Sequence, residues 1–150
     1  MIAVDTNILL PALEPRHQDH KAARTFLASL DGRDDVAMSE FVLVELYVLL
    51  RNPAVMSPPL EADEAVEICQ TFRRHPKWLV FGFPSDSRTL HDVLWNKIGE
   101  RGIARRRAYD TRMALSLLQQ GVKEFATVNT KDFKEVGFRR VWNPLHRPKQ

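Results

Sequence analysis

The chain has 150 residues, 44% hydrophobic and 27% charged, with 22 Lys and Arg against 19 Asp and Glu for a net charge of +3. That length and balance fit one soluble domain with a genuine core, and the mild basicity permits a nucleic-acid partner without demanding one. The lone Cys69 excludes an internal disulfide, no apolar run approaches the roughly 18 residues of a membrane span, and no signal core opens the sequence, so a cytoplasmic protein with no membrane partner is expected.

Ile2-Ala3-Val4 predicts a short buried strand, interrupted by the polar Asp5-Thr6-Asn7 before Ile8-Leu9-Leu10. Pro11, Pro15 and Arg16-His17-Gln18 read as a loop or broken first turn, with His17 and His20 as exposed loop residues. Asp19 caps a helix to about Leu30, and Asp31-Gly32-Arg33-Asp34 turns the chain into a second strand, Val36-Ala37-Met38. Ser39 is a good N-cap for a helix from Glu40 to about Arg51, which Asn52-Pro53 stops. A connector rich in Pro leads to a helix from Glu61 to about Arg74, and Trp78-Leu79-Val80-Phe81 is the third strand. Asp86 or Ser87 caps a helix carrying Leu90, Val93, Leu94 and Ile98. After the basic stretch Arg101 to Arg107, Tyr109 to Gln120 is helical, with Gly121 as its C′ residue. Phe125 to Val128 is a fourth strand, Asn129 to Val136 a loop or short helix, and Arg140-Val141-Trp142 a fifth strand, with a frayed tail from Pro144. Short strands alternating with helices predict an α/β fold with a parallel sheet covered on both faces.

Burying an ionised Asp without a partner is expensive, and the carboxyl ends of strands in open α/β sheets are where ligands bind. Asp5 stands at such an end. From Phe41 to Leu50 only Glu45 is both charged and set among apolar residues, so the helix is expected to draw it inward; the alternative is a Glu reaching solvent or an Arg. Asp110 opens a helix, where an acid also favours the dipole, but Tyr109 and Met113 beside it point that helix start towards the core. Asn129 and Asp132 follow the fourth strand, where such residues are ordinarily turn formers. Several acids at strand ends and helix starts, without matching basic residues, suit a hard divalent cation. No Cys/His set suggests zinc, no G-x-S-x-G elbow or Gly-rich phosphate loop occurs, and Cys69 sits inside a helix as a core residue.

With these residues in view, the sequence resembles the PIN-domain ribonucleases, and within them the VapC-type toxins of bacterial toxin–antitoxin pairs. The resemblance rests on Val4-Asp5-Thr6-Asn7, on Ser39 to Glu45, on Tyr109-Asp110-Thr111-Arg112-Met113-Ala114, and on Thr127-Val128-Asn129-Thr130-Lys131-Asp132-Phe133. It covers a domain of residues 1–145, leaving 146–150 as a tail, and the stretch from Asn52 to Asp86 carries no family motif. It implies a three-layer sandwich around a five-stranded parallel sheet in the order 3-2-1-4-5. Asp5, Glu45, Asp110 and Asp132 would be the catalytic acids holding Mg²⁺ or Mn²⁺. Many relatives carry the fourth acid where Asn129 stands and some where Asp132 stands; here Asp132 takes that part, with Asn129 as a neutral hydrogen-bonding partner. Thr6, Asn7, Thr127 and Asn129 would brace the acids.

The family likeness further implies an endoribonuclease, usually a homodimer, held inactive by a cognate VapB-like antitoxin. Arg105, Arg106, Arg107 and Arg112 read either as a solvated basic face or as positioning groups for RNA phosphates. Two alternatives keep the fold: a nuclease of RNA processing or decay with no antitoxin, and a catalytically silent binding module. A phosphoacceptor receiver is disfavoured, since Asp5 has no adjacent acid.

Overall fold

The structure, a computed structural model, describes residues 1–146. Its elements in chain order are β1 (Ile2–Val4), α1 (Thr6–Leu13), α2 (His20–Leu30), β2 (Val36–Ser39), α3 (Glu40–Leu50), α4 (Ala62–Arg73), β3 (Leu79–Phe81), α5 (Ser87–Ile98), α6 (Arg107–Gln119), β4 (Glu124–Ala126), α7 (Thr130–Phe133) and β5 (Arg140–Trp142). The five strands form one parallel sheet in the order β3-β2-β1-β4-β5, as the family likeness implied. Ala3 pairs with Ala37 on one side and with Phe125 on the other, so β1 is central.

Every residue of β1 and β2 is buried, which requires cover on both faces of the sheet. Right-handed crossovers supply it. The connections from β1 to β2 and from β2 to β3 step in one direction and carry α1 to α4, which pack on one another. The connection from β3 to β4 steps back across the sheet, so α5, α6 and α7 lie on the opposite face. The order therefore reverses between β1 and β4, and the crevice beyond their carboxyl ends is a topological switch point.

Several expectations need correction. The loop expected from Pro11 begins later: Thr6–Leu13 is α1, a helix that contains Pro11. Asp5 caps it, its Oδ1 accepting the Thr6 N–H at 2.8 Å. Pro11 stands two residues before the last, Leu13, where one missing N–H can be tolerated because burial of Ile8, Leu9 and Pro11 holds the helix in place. His17 and His20 are half-buried rather than exposed, and His20 Nδ1 donates to the Pro11 carbonyl at 2.8 Å. β4 stops at Ala126 and Val128 is exposed, although the Thr127 N–H still donates to Trp142 O. Leu145 is buried in the core, so the chain is not frayed from Pro144; residues 147–150 of the expected tail lie outside the described residues.

The helix over Glu40–Leu50 is not buried all round. Val42, Leu43, Leu46 and Leu50 are buried and Tyr47 and Leu49 half-buried, while Val44 is 62% and Val48 57% exposed. Neighbouring α1 and α4 can cover one stripe of α3, and the opposite stripe faces solvent. At the other end of the sheet, Phe125 stacks on Phe138 at 5.2 Å and meets the edge of Phe133 at 4.8 Å. That cluster pins α7, and Asp132 with it, beside the carboxyl edge.

Candidate active site

Asp5 is buried where β1 ends and α1 begins. Its Oδ1 takes the Thr6 N–H, and its Oδ2 accepts the hydroxyl of Thr127 at 2.6 Å. Thr127 is itself fully buried and saturated: its oxygen accepts from Asn7 Nδ2 at 3.1 Å and from the Asn129 N–H at 3.0 Å. Asn7 completes the bridge between β1 and β4, because its Oδ1 accepts the Val128 N–H at 3.0 Å. With both lone pairs engaged, the hydroxyl proton of Thr127 has one good destination, the Asp5 carboxylate.

Thr6 ties Asp5 to the next acid. Its hydroxyl donates to Glu45 Oε2 at 2.8 Å, in preference to the Val42 carbonyl at 3.3 Å. Glu45 is exposed, contrary to the expectation that its helix draws it inward, because it lies on the uncovered side of α3. It faces a cavity of about 490 Å³ that it shares with Asp110, Arg106, Tyr109 and Arg112.

Asp110 and Asp132 make a second pair around Arg107. The Arg107 Nη2 donates to the Asp132 carbonyl at 2.7 Å, and its Nε lies 3.9 Å from Asp132 Oδ1. Asp132 and Arg107 both bear on Asp110, with opposite sign. Arg107 is therefore an internal strut, not a free hook for a phosphate. Arg105 is exposed and Arg106 lines the cavity. Arg112 lies over the Phe41 ring, 4.8 Å from its centre, and donates from Nε to His91 Nε2 at 3.1 Å. Tyr109 points outward, 81% exposed, rather than towards the core. Asn129 contributes its backbone N–H to Thr127, while its side chain is exposed.

Burial pushes the Asp5 carboxyl up to about 6; Glu45 and Asp110 push the same way, and the bonds from Thr127 and Thr6 oppose them. Burial also raises Asp110, helped by Glu45 and Asp132 and opposed by Arg107. The strongest charges acting on Asp5 are thus two further carboxylates. Among the described residues, no three His, Cys, Asp or Glu side chains stand close enough to share one metal ion as placed. Charge and donor type nonetheless fit a hard divalent cation: all-oxygen donors, mutual repulsion, and a buried acid lifted because its charge is uncompensated.

The acids and the Thr and Asn residues singled out in the sequence lie around this edge, Asn129 engaging through its backbone alone, and three features went unread: the Asp5 cap, the Arg107 strut and the Arg112–His91 contact. The first had a signal in Asp5-Thr6-Asn7 followed by an apolar run, an N-cap pattern.

A family model described as PIN domain matches residues 2–80. Over 145 residues, covering 97% of this chain and 97% of the relative, the sequence is 47% identical to Ribonuclease VapC24 of Mycobacterium tuberculosis. Among solved structures, Mycobacterium tuberculosis VapC20, described as a Sarcin-Ricin loop cleaving toxin, aligns with a TM-score of 0.68 at 19% identity, covering 92% of this chain and 96% of that one. VapBC2 from Rickettsia felis, bound to a DNA fragment from their promoter, gives 0.66 at 20% identity, with coverage of 95% and 98%. FitAcB from Neisseria gonorrhoeae gives 0.63 at 22% identity, with coverage of 98% and 100%. At these identities the structural likeness speaks to the fold.

Proposed function

The chain belongs to the PIN-domain family, as a VapC-type member, and from that premise we propose that it is a divalent-metal-dependent endoribonuclease acting as a toxin under the control of a cognate antitoxin. The observation that carries this reading is Asp5: a buried carboxyl at the switch point, braced by Thr6 and Thr127, whose main charged neighbours are Glu45 and Asp110. Asp5, Glu45, Asp110 and Asp132 would hold Mg²⁺ or Mn²⁺. Such an ion, when bound, supplies charge neutralisation at the scissile phosphate and lowers the pKa of water.

The chain's own residues then have distinct parts. Thr127 and the Thr6 N–H hold Asp5 in one orientation, so its oxygens need no reorganisation. The Thr6 hydroxyl steers Glu45 towards the same pocket. Arg106 on the cavity wall and the exposed Arg105 position RNA phosphates, Arg112 meets the RNA inside the cavity, and Arg107 holds the α7 loop. The acidic cavity also suits an arginine from an antitoxin, a charge-assisted block of the site. An antitoxin partner is supported by the likeness to VapBC2 and FitAcB. The exposed Val44 and Val48 of α3, with Val66 of α4, support a homodimer face.

The test is cleavage of a panel of structured RNAs, with and without Mn²⁺, by wild type and by Asp5→Asn. Cleavage only by wild type with metal is the expected result. Full activity in a folded Asp5→Asn variant sinks the reading.

A further inference from the structure

We propose that the cavity beside the acids is a nucleobase subsite, with Tyr109, Phe41 and Arg112 receiving one unpaired base of the RNA next to the scissile phosphate; this rests on the ribonuclease reading above. Three observations carry it. Tyr109 leaves most of its ring in solvent at the cavity rim, one residue from Asp110, although a Tyr on the first turns of an otherwise core-forming helix has apolar surface to bury. Phe41 is also partly open, and its ring already carries the Arg112 guanidinium at 4.8 Å. Arg112 cannot swing freely, because its Nε is bonded to His91 Nε2 while His91 Nδ1 donates to the Ser87 carbonyl at 2.6 Å. The site is thus a preset π-surface with fixed cationic edges, not a mobile phosphate hook.

The occupant follows from shape and charge. A cavity of about 490 Å³ has room for one nucleotide. Aromatic rings and arginine planes stack on unpaired bases of any identity, and single-stranded RNA is the form that presents them. Arg106, on the same wall, would face the phosphate of that nucleotide, while Asp110 and Glu45 face the reacting one. An aliphatic protein side chain would gain little from the guanidinium planes and would leave their remaining N–H groups unpaired.

The test uses binding in EDTA, so it does not depend on turnover. Labelled single-stranded RNAs of about four nucleotides, the lower end of known site sizes, are compared with copies carrying one abasic residue at each position in turn. An abasic copy keeps every phosphate and loses only the stacking face. Wild type should bind one of the abasic copies roughly tenfold more weakly than the intact strand. In Tyr109→Ala the intact strand should bind as weakly, with no position mattering, and Tyr109→Phe should behave as wild type. Because Tyr109 is so exposed, Tyr109→Ala should leave the fold intact, and circular dichroism is the check. RNA binding that is indifferent to every abasic position, or unchanged in Tyr109→Ala, overturns the subsite and leaves the ribonuclease reading standing. If wild type neither binds nor cleaves any RNA, both fall together.

Discussion

The hydroxyl of Thr127 donates to Asp5 Oδ2 across 2.6 Å, joining two buried residues 122 positions apart at the reversal point of the sheet. This bond lowers the Asp5 carboxyl against the stronger upward push of burial. Thr127→Val keeps the shape and removes the bond, leaving the Asn7 amide and the Asn129 N–H without their acceptor as well. The expected cost at neutral pH is about 1–3 kcal/mol. Thr127→Ser should recover most of it. Urea unfolding of the three proteins at pH 7.5 measures this, and equal stabilities would mean that the hydroxyl does not hold Asp5.

The raised Asp5 carboxyl makes a prediction with a definite sign. Its ordinary value is 3.8 and its folded value about 6, so the folded state binds the proton more tightly than the unfolded chain. The resulting destabilisation is absent below about pH 3.8, grows between there and pH 6, and is complete above pH 6, where two units amount to about 3 kcal/mol. In EDTA, Asp5→Asn should therefore be more stable than wild type at pH 7.5. The gain should be about 1–2 kcal/mol net, because the new amide N–H meets the saturated Thr127 oxygen. Near pH 4, where the charge part has faded and the amide penalty remains, the order should reverse and wild type should be the more stable. Adding Mg²⁺ should raise the melting temperature of wild type and leave Asp5→Asn unmoved. Thermal melts across pH, with and without Mg²⁺, check both parts.

The arginines separate into two classes that salt can tell apart. Arg106 lines the cavity and Arg105 is exposed next to it in the chain, and removing one that meets a phosphate should lower the salt slope of RNA binding by roughly 0.7. Arg107→Gln should leave that slope unchanged and instead destabilise the protein by about 1–3 kcal/mol. It strips a charged donor from the Asp132 carbonyl and the one favourable charge that acts on Asp110. Filter binding over a salt series, paired with denaturation, distinguishes them. A reduced slope in Arg107→Gln would return it to the RNA-contacting set.

The alternation of strands and helices and the oddly placed acids were legible because each leaves a local mark, whereas the sheet order came only through the family likeness. Val4-Asp5 and the segment around Asp110 place carboxylates where apolar periodicity runs on. What was not legible depends on which stripe of a helix the tertiary fold covers. The composition of α3 is apolar on both sides, and only the packing against α1 and α4 decides that Leu46 is buried while Glu45 and Val48 are not. The same holds for Tyr109, whose outward aim depends on where α6 starts, two residues earlier than periodicity alone indicates. Arg107 was indistinguishable from its two basic neighbours, since its partner lies 25 residues away on α7. Pro11 hid α1 for a different reason: a short helix can lose one N–H when burial and an Asp cap hold the rest.

The uncovered stripe of α3 yields the last expectation. Val44 is 62% and Val48 57% exposed, one helical turn apart, and Val44 shares a shallow groove with Val66 and Tyr47. If this face joins two copies of the chain, a charge at its centre must be desolvated on association, which costs several kcal/mol unless a partner meets it. Val44→Asp should therefore convert a dimer to a monomer while leaving the fold intact, because the side chain is already in contact with water. Association of the wild type should weaken little with added salt, since the face is apolar. Sedimentation velocity on both proteins over a concentration series is the measurement. A wild type that stays monomeric at high micromolar concentration, or a Val44→Asp variant that still pairs, would remove α3 from the interface.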